Sequence, residues 1–425
     1  MALSANTVFE VRLTGSDTNG GGFVTGASGT DWSQQDTAQY AASDGQSFGT
    51  TNFDSASATF GTDVVGNLIY IQGGTGSIVA AWYQIISRTS ATRIVLDRST
   101  GLTTGTGATF RVGGALASPG QAGAIATVAG HTVFIKYNVS PYIATTASTN
   151  VSGGCVSGVS NTFWIGYDAS RTKYPAPGGN RPTFQLNSGV SSAVLFAGTN
   201  NPYWLQNIIL DCNNQATSRG GFMSGEYYYV KGMNGIWNTI GGCLQDNSVG
   251  RAILCEVSNC TLTGGAAALK MTGAAWFCVV HDNSQASGTS AVSVDNATNC
   301  IAYNNTGGAG FNSLRMGLNC VAYGNGQGGF APGNGGGTYI NCIAEDNGTY
   351  GWAGNTSRYT LIKCASYNNT SGRSSAGTGA VFDIDAITSS ASVFTNAAAA
   401  DFTLNNTAGA GDDLRGVGFP TTFPV

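Results

Sequence analysis

The sequence predicts an all-β solenoid: a right-handed parallel β-helix of coils of about 20 to 22 residues, with a β-rich N-terminal cap. Three observations predict it: an internal repeat held in strict register, a two-residue alternation inside each copy, and a composition suited to tight turns. The repeat reads Phe277-Cys278-Val279-Val280-His281-Asp282-Asn283, then Asn299-Cys300-Ile301-Ala302-Tyr303-Asn304-Asn305 and Asn319-Cys320-Val321-Ala322-Tyr323-Gly324-Asn325. It continues through Asn341-Cys342-Ile343-Ala344-Glu345-Asp346-Asn347 and Lys363-Cys364-Ala365-Ser366-Tyr367-Asn368-Asn369. The cysteines step by 22, 20, 22 and 22 residues, and an asparagine follows each five places later. A repeat of that length without a Leu-x-x-Leu-x-Leu signature or helical periodicity fits a β-coil better than a leucine-rich repeat.

The elements of one coil follow from the strand period. In Cys-Ile-Ala-Tyr, alternation puts Cys and Ala on one face and Ile and Tyr on the other. Cys278, Cys300, Cys320, Cys342 and Cys364 are therefore expected inside as a column of small hydrophobes. The following asparagines are expected to bond along their own column at the turn. Disulfides between stacked cysteines are disfavoured, because parallel Cβ vectors give the wrong torsion. A Gly-rich turn and an aromatic come next, at Gly310-Phe311, Gly329-Phe330 and Gly351-Trp352, marking the next strand; Asn259-Cys260-Thr261-Leu262 reads as a fainter copy.

The opposite face carries Ile301, Tyr303, Val321, Tyr323, Ile343 and Tyr367, which is too apolar to be bathed in water. This row is expected to be an interface or ligand face, covered by further copies of the chain, most simply as a homotrimer. A stacking platform for sugar rings is the alternative.

Composition excludes other classes. Of 425 residues, 42% are hydrophobic but only 9% are charged, against about 25% in ordinary soluble domains. Sixty-three glycines, with abundant Asn, Ser and Thr, supply turns. The net charge is −4 and the eighteen Lys and Arg are scattered, so no basic stripe exists to track nucleic acid. No apolar run approaches the roughly eighteen residues that suggest membrane insertion, and Met1-Ala2-Leu3-Ser4-Ala5-Asn6 lacks a secretory n-region and h-region. The expectation is a protein made and kept in a cytosol until something releases it, rather than one secreted by a signal peptide.

Along the chain, residues 1–125 are read as the cap and attachment region, 126–395 as the β-helix and 396–425 as a closing strand and irregular tail. In the cap, 65–71, 78–86, 92–96 and 109–112 read as strands, and Asp31-Trp32-Ser33 opens a short helix. Within the coils, strands are expected from Thr132, over 204–211 and over 227–230, and Asp401-Phe402-Thr403-Leu404 is the closing strand.

The Asn-Cys-x-Ala-Tyr-x-Asn coils and the Ala-Asp-Phe-Thr-Leu ending resemble right-handed parallel β-helix proteins of the pectate-lyase-like superfamily, over roughly residues 126–410. Phe9-Glu10-Val11-Arg12, Ser16-Asp17-Thr18-Asn19-Gly20-Gly21-Gly22-Phe23-Val24 and the stretch 66–114 are similar to N-terminal regions of β-helical proteins from tailed-bacteriophage virions. The resemblance implies a virion component, either a head decoration protein or fibre or a tail fibre or spike, with residues 1–125 contacting other virion proteins. It also implies a host surface glycan as a potential partner.

Fold does not settle activity. Lyases of that superfamily cluster Asp or Glu around Ca²⁺ and use a Lys or Arg base, whereas four Glu, eighteen Asp and five Lys are thinly spread here. Asp282 and Asp346 share a repeat position but lie three coils apart, about 14 Å at the parallel strand spacing, too far for a glycosidase pair. Glu345 and Asp346 are expected at a solvated turn. Asp383 and Asp385 remain as weak catalytic candidates, since i and i+2 share a strand face about 7 Å apart, with Phe382 and Ile384 inward. Arg358 and Arg373 are near in sequence. His131 and His281 cannot make a three-His zinc site, and His281 is expected at the surface or an interface. Gly73-Gly74-Thr75-Gly76-Ser77 is a turn rather than a phosphate loop. No cofactor or metal is expected. The balance favours a non-enzymatic structural protein of a phage particle over a tail-spike enzyme or adhesin that binds or cleaves surface polysaccharide.

Overall fold

The computed structural model describes residues 3–144, 162–172, 180–191, 194–237, 242–246, 250–265, 267–332, 336–353, 359–373, 381–384 and 387–415. The chain forms two compact units. The first comprises 1–142, 149–184 and 200–208; the second comprises 143–148, 185–199 and 209–425.

In the first unit, Thr7–Val11 pairs antiparallel with Gly22–Val24 and parallel with Thr132–Lys136. Thr132–Lys136 pairs in turn with Phe163–Tyr167, and that strand with Trp204 to Gln206. Residues near the N-terminus thus form a rung of a parallel stack. Between Gly22–Val24 and Thr132–Lys136, a six-stranded antiparallel barrel closes on itself in the order Tyr40–Phe48, Asn52–Asp54, Arg93–Leu96, Ala81–Ser90, Leu68–Ile71 and Thr104–Val112. The four strands read in this region are all present, with shifted ends. Closure removes both sheet edges, and Phe53, Phe60, Tyr83, Ile94 and Phe110 fill the interior. The Gly73–Ser77 stretch is the turn between two barrel strands. Asp31 caps a one-turn 3-10 helix over Trp32–Gln34, as its sequence indicated. The helix Pro119–Ile125, capped by Ser118 with Pro at its first position, carried the same kind of signal and was not foreseen.

Glu10 is fully buried and is matched by two guanidiniums. Arg12 Nε lies 2.7 Å from one carboxylate oxygen, and Arg171 and the Tyr167 hydroxyl also bond it. Arg171 reaches on to Asp31. A buried carboxylate so paired holds three chain segments in one geometry, because removing either arginine strands a charge.

The second unit is the right-handed parallel β-solenoid, the hand of connection that parallel strands favour. Successive coils stack their strands into parallel sheets, of which three are long. The first sheet contains Gly242–Asp246, Ala267–Lys270, Ser290–Ser293, Ala309–Leu314 and Phe330–Pro332. The second contains Arg251–Ile253, Ala274–Trp276, Asn296–Thr298, Met316–Leu318, Gly337–Ile340, Tyr359–Ile362 and Val381–Ile384. The third contains Ile209–Asp211, Lys231–Met233, Glu256–Ser258, Val279–His281, Ile301–Tyr303, Val321–Tyr323, Ile343–Glu345, Ala365–Tyr367 and Ile387–Thr388.

The repeat is explained residue by residue. The chain turns from the second sheet into the third at a single left-handed residue: Phe277, Asn299, Asn319, Asn341 or Lys363, with φ of 51 to 55°. Asparagine tolerates that conformation better than most residues, which accounts for the Asn before Cys. A second left-handed turn leaves the third sheet at Asp282, Asn304, Asp346 and Asn368, and Gly324 takes the same place. Cysteine and alanine face inward as the alternation required, and Cys278, Cys300, Cys320, Cys342 and Cys364 are buried free thiols. The asparagine column is buried and self-bonded. Asn283, Asn305, Asn325 and Asn347 each donate Nδ2 to the Oδ1 of the next, at 2.8, 2.9, 3.0 and 2.8 Å. Each also donates to a backbone carbonyl of the preceding coil, so the buried amides are satisfied. Phe311, Phe330 and Trp352 stack as a third column, with centroids 5.0 and 5.5 Å apart.

The faint copy at Asn259-Cys260 is corrected. Asn259 is the left-handed turn residue, so Cys260 takes the asparagine column, where its N–H donates to Asn283 Oδ1. Cys255 is the member of the cysteine column, lying against Cys278. The segment read as a closing strand does not extend the stack. Asp401–Leu404 pairs antiparallel with Phe394–Asn396, and this hairpin lies on the outer face of the third sheet.

Candidate functional site

The outward face of the third sheet bears two rows. One runs Lys231, Glu256, Val279, Ile301, Val321, Ile343 and Ala365; the other runs Met233, Ser258, His281, Tyr303, Tyr323, Glu345 and Tyr367. Both change character along the solenoid, and the change defines a polar half and an apolar half.

The apolar half corrects the predicted interface. Ile301, Val321 and Ile343 are at most 1% exposed and Tyr303 is 9% exposed. Their cover is the chain itself: Val393, Phe394, Phe402, Leu404, Ala410 and Leu414 form one cluster with them. Phe402 packs against Tyr303 and Tyr323, at 5.2 and 5.8 Å between centroids. Only Tyr323 and Tyr367 of the predicted row stay partly exposed. The row was correctly judged too apolar for water, but a segment about 50 to 110 residues downstream covers it.

Glu345, expected to be solvated, is 1% exposed under the same hairpin. Ser392 Oγ donates to one oxygen at 2.5 Å and the Val393 N–H to the other at 3.0 Å. Burial pushes its carboxyl up to about 7, although both hydrogen bonds favour the ionised form.

The polar half gathers four ionisable groups. Lys231 Nζ lies 2.7 Å from Glu256 Oε1, His281 Nε2 lies 3.2 Å from that oxygen, and His281 Nδ1 lies 2.7 Å from Asp282 Oδ2. The His281 ring stacks on Tyr303 at 4.8 Å, with planes 2° apart. Burial of His281 opposes protonation, but the Glu256 and Asp282 carboxylates outweigh it and raise its pKa. Burial also pushes Glu256 up, yet the bonds from His281 and Lys231 hold it down to about 2. His281 is thus held between two carboxylates that favour its protonated form, with the Lys231 ammonium beside it. An acid with a pKa near 2 cannot serve as a general acid at neutral pH. Carboxylates and an ammonium at a partly exposed face can accept and donate hydrogen bonds to a hydroxyl-rich or acidic ligand.

The remaining candidates divide. In Val381–Ile384, Ile384 is 49% exposed, where an inward position was expected. The side chains of Phe382 and Asp383 lie outside the described residues, as do Asp385 and Arg358. Asp282 and Asp346 fall on separate coils, as the repeat required. His131 is fully buried in the first unit, its Nε2 2.9 Å from the Ser4 carbonyl oxygen and its ring against Phe9. Burial lowers its pKa to about 4. Among the described residues no group of three or more His, Cys, Asp or Glu is arranged to hold a metal ion, and no helix is long and apolar enough to cross a membrane.

Sequence reasoning missed Lys231 and Glu256, because their coils lack the Asn-Cys signature. One signal was available: Cys255 precedes Cys278 by 23 residues, and stepping the repeat back would have set Glu256 beside Val279 and His281.

No family model matches the chain, and no curated protein matches it. Among solved structures, the chain is similar to the A-module of mannuronan C-5 epimerase AlgE4 from Azotobacter vinelandii, at 16% identity over 60% of this chain and 86% of that one, with a TM-score of 0.33. It is also similar to the tailspike protein gp49 of Pseudomonas phage LKA1, at 11% identity over 84% and 62%, TM-score 0.19. A third is the catalytic domain of a GH87 α-1,3-glucanase, at 8% identity over 87% and 93%, TM-score 0.24.

Proposed function

We propose that the chain is a non-enzymatic structural protein of a tailed-phage particle, a head decoration protein or fibre or a tail fibre. The observation that carries this reading is the self-bonded interior. Cysteine, asparagine and aromatic columns tie together the coils between Cys278 and Asn369, so that in this stretch one rung cannot open without breaking its neighbours. The likeness of residues 9–12, 16–24 and 66–114 to N-terminal regions of virion proteins supports the location, and residues 1–125 are the part we assign to contact with other particle proteins. Mass spectrometry of purified particles tests this: the chain is expected at a fixed stoichiometry to the major capsid or tail protein. Its absence from particles would refute the reading.

A second reading is favoured by the Lys231, Glu256, His281 and Asp282 group, where charges of both signs meet on the third sheet's outer face. It is a tail spike or adhesin engaging host surface polysaccharide there. Incubation with capsular or lipopolysaccharide glycans, read by reducing ends and by absorbance of unsaturated sugars, separates the two. No product is expected; product lost in His281→Ala would establish an enzyme.

A further inference from the structure

We propose that the outer face of the six-stranded barrel carries a binding site for an acidic sugar, centred on Arg111. Trp82 stands opposite Tyr70, Tyr70 opposite Arg111 and Arg111 opposite Ala41 on four neighbouring strands. Their chain neighbours Ile69, Ile71, Phe110 and Val112 fill the interior, so alternation turns this row outward. The Tyr70 and Trp82 rings stack at 4.1 Å between centroids. Beside Arg111 opens a cavity of about 260 Å³, lined also by Thr14, Ser16, Asn19, Asp36 and Thr37. Its walls are fixed before any ligand arrives. Asn19, 1% exposed, donates Nδ2 to the Asp36 and Ala115 carbonyl oxygens at 3.0 and 2.8 Å, and its own carbonyl oxygen accepts the Trp82 indole N–H at 3.0 Å.

Three features select the ligand. Arg111 donates from Nη1 to Ser16 Oγ at 3.3 Å, and among the described residues no carboxylate pairs with it. A half-buried guanidinium with its other N–H groups open is matched best by a planar carboxylate. The rest of the lining is hydroxyls from Thr14, Ser16 and Thr37 and the Asp36 carboxylate, which Arg12 Nη1 holds at 3.4 Å; these groups donate to and accept from ligand hydroxyls. Asn19 Oδ1 is a buried acceptor with no donor among the described residues, and a ligand hydroxyl would supply one. Asp36 disfavours phosphate, because its negative charge repels a dianion more than a monoanion. The cavity is also smaller than the roughly 300 to 1,000 Å³ of drug-sized sites, which limits the ligand to a single ring. The inference goes beyond the particle reading and does not depend on it.

Glucuronate is the probe, titrated against the full chain and read by saturation-transfer NMR, with glucose and inorganic phosphate as comparisons. A Kd of about 1 to 10 mM is expected for one sugar unit, with glucose about tenfold weaker because it leaves Arg111 unpaired. Arg111→Gln is expected to weaken glucuronate to the level of glucose. Ala41→Trp, at an exposed position on the cavity rim, is expected to block entry while leaving Arg111 in place, and it decides the matter if Arg111→Gln misfolds. Absence of a glucuronate signal at about 50 mM overturns the proposal, as does equal binding of glucose or phosphate, or full binding in a folded barrel variant. Loss of binding in His281→Ala instead would move the site to the third sheet and also overturn it. Particle mass spectrometry is unaffected by these outcomes, so failure here is distinct from failure of the particle reading.

Discussion

Two apolar rows run side by side on the solenoid, one on the second sheet and one on the third, and they meet different fates. Ile301, Val321 and Ile343 are sealed beneath Phe394, Phe402 and Leu404, while Leu318, Ile340 and Ile362 stay partly exposed. Both rows are written with the same residue types at the same spacing. What separates them is a hairpin from outside the repeat, so the value of an outward isoleucine here depends on a distant segment.

The largest effect should come from placing a charge in each row. Val321→Asp is expected to cost about 4 to 5 kcal/mol in urea denaturation, because an unpaired buried charge has no compensation. Ile340→Asp is expected to cost less than about 1 kcal/mol, since water still reaches that site. Equal costs would erase the distinction between the rows.

Glu345 makes the covered face sensitive to pH. Its folded-state value of about 7 lies above the ordinary 4.5, so its contribution is whole below about pH 4.5 and is lost as pH rises through 7. The loss is at most about 3 kcal/mol. Denaturation midpoints measured from pH 4 to 8.5 should fall across that window in the wild type and flatten in Glu345→Gln. A flat wild-type profile would contradict the buried environment assigned to it.

The interior column should be more sensitive than the polar half of the outer face. Asn325→Ala removes an amide that bonds the Ala302 carbonyl and Asn347 and takes one acceptor from the Asn305 amide, and about 2 kcal/mol is expected by calorimetry or urea titration. His281→Ala, at a partly exposed cluster, is expected to shift stability by about 1 kcal/mol or less. A larger loss at His281 than at Asn325 would reverse the ranking of inside over outside.

Much of the solenoid was legible because a parallel stack converts a sequence period into a spatial column. The five cysteines, the asparagine ladder and the aromatic column could all be read from their spacing. The outward direction of Ile301 and Tyr303 was equally legible. The cover over them was not, since nothing in Phe394 or Phe402 states which face the hairpin will occupy. The candidate site was read only in part. His281 was recognised as an outward residue, but its partner Glu256 sits in a coil without the signature. Ile384 was expected inward and is exposed, because a one-residue shift in a strand exchanges its faces.

By itself the sequence determined the coil: its length, its inward columns and its left-handed asparagine turns. These are local consequences of backbone conformation and side-chain period, repeated until they are unmistakable. Only the tertiary structure decided that residues 40–112 close into a barrel, that Lys231, Glu256 and His281 meet, and that one apolar row is covered while the other is not. Those outcomes depend on pairings between distant segments, which no local period encodes.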